Sequence, residues 1–136
     1  MITMRIINGY HRAWAIRYLR EALVEYEKGL ESQREDHSRS FMAAAVRKAQ
    51  LALEHALGAP EYLEILVADA LHSCTANQGA TLRLLSTLAS LANAFLQEQT
   101  TWSRDRILKI TWEALQGASV IIREITSERR LELELD

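Results

Sequence analysis

Ser40-Phe-Met-Ala-Ala-Ala-Val-Arg-Lys-Ala-Gln-Leu-Ala-Leu-Glu-His-Ala-Leu57, followed by Gly58-Ala-Pro60, is the stretch on which the fold turns. Ala45, Ala49, Ala52 and Ala56 recur at three- and four-residue steps beside Met42, Val46 and Leu53, the period of one helix face. A stripe of small side chains lets a second helix axis approach closely, so this face belongs to a core of packed helices. Gly58 supplies the left-handed residue that ends a helix, and Pro60 is suited to open the next one. The polar run Gln33-Arg-Glu-Asp-His-Ser38 precedes the stretch as a turn, with Asp36 or Ser38 as helix cap.

Upstream, the spacing predicts a helix from about Gly9 to Arg34, with Asn8 as cap. Ile16, Leu19, Leu23, Tyr26 and Leu30 form one apolar stripe, and Tyr10, Trp14 and Tyr18 form a second beside it. Two adjacent stripes call for burial on two sides, either by a surrounding five-helix core or by a partner subunit. Downstream, a third helix opens at Pro60 and carries Leu63, Leu66, Val67, Ala70 and Leu71. It weakens at Ser73-Cys-Thr-Ala-Asn-Gln-Gly79, where turn formers cluster. A fourth helix carries Leu84, Leu85, Leu88, Leu91, Ala92 and Phe95. A fifth, capped by Thr101 or Ser103, carries Leu108, Trp112, Leu115, Val120, Ile121 and Ile125. The expected fold is therefore all-α, a single-domain antiparallel up-down bundle. It has four helices if the third and fourth fuse, and five if they do not. The tail Arg130-Leu-Glu-Leu-Glu-Leu-Asp136 alternates with a strand period, and Met1 to Ile7 is rich in β-branched residues. A ribbon between the two ends, or a helical extension of the last helix, fits that pattern.

Composition narrows the function classes. The 136 residues are 49% hydrophobic and 25% charged, with a net charge of −2, so bulk attraction to nucleic acid or membrane is not implied. Cys74 is the sole cysteine, which excludes an internal disulfide and a cysteine-based zinc site and fits a cytoplasmic location. No stretch reaches the roughly 20 apolar residues of a membrane span, and the first residues lack a signal-peptide core. Phosphate-binding glycine loops and nucleophile elbows are absent. Asp69-Ala-Leu-His72 is the nearest approach to a di-iron motif and occurs once, so neither metal nor cofactor is expected. His55, at the end of its helix, is expected to meet free carbonyls and the helix dipole.

The charge layout is unusual. Arg5, Arg12, Arg17 and Arg20 fall in the first twenty residues without an acid, and Glu21, Glu25, Glu27, Glu31, Glu35 and Asp36 follow. The last helix repeats the order, with Arg104, Arg106 and Lys109 early and Glu124 and Glu128 late. Helix dipoles favour the reverse. If the first and fifth helices start at one end of the bundle, Arg12, Arg17, Arg20, Arg104, Arg106 and Lys109 gather into an anion-attracting pole. Tyr10, Trp14 and Tyr18 lie near it; core packing is their expected role, and exposed rings there can stack on bases.

The segment Tyr18-Leu-Arg-Glu-Ala-Leu-Val-Glu-Tyr-Glu-Lys-Gly-Leu30, its polar turn and the Ala-rich helix that ends at Leu57-Gly58 resemble the HEPN superfamily of small prokaryotic helical domains. The resemblance covers residues 18–58. It implies a four- or five-helix bundle, commonly a homodimer, with an RNA-related or toxin–antitoxin role. Active ribonucleases of that group carry an arginine with a histidine a few residues after it, late in the bundle. The formal match here is Arg5-Ile-Ile-Asn-Gly-Tyr-His11, at the opposite end. The expectation is thus a non-enzymatic module that dimerises through helix 1 and binds a protein or a nucleic acid. A ribonuclease using Arg5 and His11 is the alternative.

Overall fold

The structure, a computed structural model, describes residues 9–73, 79–97 and 102–135. Five helices follow one another: α1 (Gly9–Glu31), α2 (Glu35–Ala56), α3 (Pro60–Ser73), α4 (Ala80–Leu96) and α5 (Arg104–Leu135). No strand occurs among the described residues. The third and fourth helices are therefore separate. The alternating tail is helical to Leu135, so of its two readings the helical extension holds and the ribbon does not; Met1 to Ile7 lie outside the described residues. An existing helix extends without a new nucleation cost, which favours continuation over a strand.

The Ala-rich helix is the hub. α2 packs against all four other helices, and Met42, Ala45, Val46, Ala49, Ala52 and Leu53 are fully enclosed. Gly29 of α1 shows how close the approach is: a Cβ there would collide with Met42 Cε and come within 3.2 Å of Phe41 Cβ. The turn between α1 and α2 departs from the expected capping. α1 stops at Glu31 and α2 starts at Glu35, and its N-cap residue Arg34 makes no side-chain cap. Ser38 instead donates to Gly29 O at 2.9 Å, tying α2 to the end of α1. The Gly58 and Ser103 expectations hold. Gly58 has φ of 82°, and Arg106 N donates to Ser103 Oγ at 3.3 Å.

Direction decides what meets at each pole. α1 and α2 are antiparallel, with Lys48 Nζ 3.3 Å from Glu25 Oε1 partway along the pair. α4 is antiparallel to α2: Leu85 packs near Leu53, and Leu88, Ala92 and Phe95 near Val46 and Met42. α3 also sets out from the end of α2, its Leu63 clustering with Leu82 of α4 and its Leu71 lining a cavity with Ala92. α3 and α4 thus run the same way, the one break in the alternation. As a result α5 is antiparallel to α1. Tyr26 stacks near Trp112 at 5.2 Å, and Ala15 shares a cluster with Ile122.

Candidate functional site

At the pole where α1 begins and α2 ends, residues far apart in sequence stand together. His11 Nδ1 lies 3.1 Å from His55 Nδ1. In a neutral pair one ring donates and the other accepts. Tyr10, Trp14 and Tyr18 occupy successive turns of α1, so their rings continue the surface. Tyr10 meets His11 edge-on at 5.3 Å and Trp14 at 6.2 Å, and Trp14 lies 5.4 Å from Tyr18. His55 closes the cluster, 6.3 Å from Trp14 and 5.5 Å from Tyr18. Arg17 holds its guanidinium 4.9 Å over the Trp14 ring, a cation–π contact. A groove of about 320 Å³ adjoins the cluster, lined by His11, Gly58, Ala59, Pro60, Glu61 and Tyr62. Tyr10 and Tyr62 are 64% and 62% exposed, whereas His11, Trp14 and His55 are half-buried and Tyr18 packs against the core cluster of Ala15, Ala52 and Ile122, so the stripe runs from an open rim into the core.

Burial, and then the neighbouring His11 charge, hold the His55 imidazole below its ordinary range. Its role also departs from the expected one, since its Nδ1 faces a second imidazole. Sequence reasoning took His55 as a dipole partner and did not name Tyr62. The pairing was hidden by the turn's expected place across Gln33 to Ser38; the chain turns at residues 32–34, about which His11 and His55 are equidistant.

The six basic residues expected at one pole are divided between two. Arg12 is half-buried and Arg17 and Arg20 are exposed along the first half of α1. Arg104, Arg106 and Lys109 sit at the opposite pole, where α5 starts beside the end of α1. The physical reason is the parallel pair α3 and α4, which reverses α5 relative to α1. Arg104 is also committed: its Nη2 donates to Leu30 O at 3.0 Å, Ser32 O at 3.2 Å and Gly29 O at 3.3 Å. It caps the orphan carbonyls of α1. Arg106 lies 5.2 Å over Trp102. Arg5, the expected partner of His11, lies outside the described residues, as does Cys74.

The antiparallel pairing also explains the inverted charge order. The basic start of α5 lies against the acidic end of α1, and the C-terminal dipole of α1 favours cations there. Among the described residues no group of three or more His, Cys, Asp or Glu could hold a metal ion. No described helix is long and apolar enough to cross a membrane. Comparison with family models, curated proteins and solved structures finds no match for this chain.

Proposed function

We propose that this chain is a cytoplasmic, non-catalytic helical module that binds single-stranded nucleic acid, RNA in the first instance, at the pole where α1 begins. The observation that carries the reading is the partly exposed cluster of Tyr10, His11, Trp14, Tyr18 and His55 with Arg17 over Trp14. Aromatic faces stack on bases without regard to sequence, and nearby arginines hold the phosphate backbone. Arg12, Arg17 and Arg20 supply that charge on α1, with Glu61 of the adjoining groove and Glu124 of α5 as the acids at the same end of the bundle. The resemblance of residues 18–58 to HEPN domains points to the same RNA-related role. Leu23 and Leu30 on α1 are 39% and 45% exposed, and Trp112 of α5 is 43% exposed near the same seam, which supports self-association through helix 1.

Fluorescence anisotropy with a labelled single-stranded RNA tests the reading. Base stacking on an aromatic side chain contributes about 1–3 kcal/mol, so Trp14→Ala is expected to weaken binding by about 5- to 150-fold. Equal affinity in wild type and Trp14→Ala, or no binding by wild type, contradicts it.

A second reading, RNA cleavage, is favoured by one observation, the 3.1 Å approach of two imidazoles. One can act as general base and the other as general acid, with an arginine stabilising the phosphorane. Cleavage by wild type that is lost in both His11→Ala and His55→Ala supports this reading. An uncut RNA that still binds supports the module.

A further inference from the structure

The groove beside the aromatic cluster holds an acid, which a surface for polyanions does not need. Glu61 lies in the first turn of α3 and lines the groove of about 320 Å³ with His11, Gly58, Ala59, Pro60 and Tyr62. Its side chain has no ion pair or hydrogen bond among the described residues. The dipole of α3 favours an acid in that turn. Beside a phosphate-binding surface, however, a carboxylate weakens binding by repulsion unless a group of the ligand donates to it.

The rest of the lining suits a planar ring. Tyr62 is exposed in the groove, and His11 joins it to the rim by meeting Tyr10 edge-on at 5.3 Å. Gly58, Ala59 and Pro60 add little side-chain bulk. The volume lies at the low end of the ~300–1,000 Å³ of small-molecule sites, room for a nucleobase. What Glu61 selects follows from the edges of the bases. A carboxylate offers two acceptor oxygens and no donor. Guanine carries N1–H and N2–H side by side on its Watson–Crick edge, one for each oxygen. Adenine and cytosine set a ring lone pair beside their amino group, and uracil flanks its N3–H with two carbonyls, so each of them turns a lone pair towards the carboxylate.

We infer that the groove between the start of α1 and the start of α3 is a guanine pocket, in which Tyr62 stacks on the base and Glu61 accepts from its N1–H and N2–H. The inference rests on the RNA reading of the neighbouring cluster and deepens it. Trp14 and the arginines of α1 give affinity without regard to sequence, and Glu61 adds a preference. The repulsive part of that preference matters as much as the attractive part, because a base that cannot donate to Glu61 leaves the carboxylate facing lone pairs. The same chemistry fits a guanine within a strand or a free guanine nucleotide.

Fluorescence anisotropy with labelled hexauridylate, and with the same strand carrying a single guanine, adenine or cytosine, tests the inference beside amide chemical-shift mapping with guanosine and adenosine monophosphates. The guanine strand is expected to bind about 5- to 150-fold more tightly than the adenine strand. Glu61→Ala is expected to bring the two within about twofold, and Tyr62→Ala to weaken the guanine strand. Both residues are exposed, circular dichroism establishes that the variants are folded, and the wild-type comparison of bases needs no variant. Equal affinity for all the strands overturns the inference and leaves RNA binding intact. A guanine preference that survives in folded Glu61→Ala also overturns it. Shifts at Glu61 and Tyr62 with the guanine nucleotide alone, while no strand binds, keep the pocket, assign it to a free nucleotide and remove the RNA reading. No binding of any strand or nucleotide overturns both.

Discussion

Glu54 sits fully enclosed on α2 and takes a hydrogen bond from Gln50, while burial and Glu64 raise its carboxyl from 4.5 to about 7. A carboxyl raised on folding keeps its proton in the native state after the unfolded chain has lost it. Its contribution to stability is therefore fully present below about 4.5 and falls as pH rises to about 7. Glu54→Gln keeps the shape and removes the titration, so it is expected to stabilise the protein at pH 8 by ~1–3 kcal/mol. Chemical denaturation at pH 4 and pH 8 checks this, since the gain is expected at the higher pH only. His55 slopes the other way: its depressed imidazole favours the neutral form, so its contribution is present above 6.5 and is lost below it, as pH falls through the lower folded-state value. Gly29 makes a steric prediction. A valine there meets the fully buried Met42 and the Phe41 Cβ, so Gly29→Val is expected to cost ~1–3 kcal/mol of overpacking in urea unfolding. The core alanines were legible because burial sets their period. The role of His55 was not, because an imidazole in a last helical turn fits a dipole contact equally well.

Among the elements, the helical segments and most of their limits were legible from the apolar period and the Gly58–Pro60 stop, but whether the third and fourth fuse was not. Their directions were not. The reversal of α5 relative to α1 depends on how α4 leaves α3, and no residue pattern within the helices encodes that. The six basic residues consequently fall at two poles, and the inverted charge order of α1 and α5 becomes a match between neighbours. Arg104 ties the start of α5 to the end of α1 through its three carbonyl contacts. Arg104→Ala removes that donor from Leu30 O and Ser32 O, while Gly29 O keeps Ser38 Oγ, and is expected to lower stability by ~1–3 kcal/mol. Arg104→Lys restores the charge but not the planar fork, and is expected to recover part of the loss. Thermal unfolding of the three proteins checks the ranking; equal melting temperatures would show that the cap contributes nothing.

The whole molecule presents two partly exposed faces rich in aromatic and apolar side chains. One is the aromatic and imidazole pole, and the other is the seam of α1 and α5 with Leu23, Leu30 and Trp112. Self-association through the second predicts a dimer mass by light scattering and a monomer for Leu23→Glu with Leu30→Glu. Nucleic-acid binding at the first makes the sharper test, because the two basic groups are chemically alike and differ only in where the fold puts them. The deciding measurement is the affinity of single-stranded RNA over a salt series for Arg12→Glu with Arg17→Glu, and separately for Arg106→Glu with Lys109→Glu. The account predicts that the first pair binds much more weakly and with a shallower salt dependence, since contacts beside the aromatic cluster are lost. It predicts near wild-type behaviour for the second pair. Equal losses in both, or a loss confined to the second, would contradict a binding site at the pole where α1 begins.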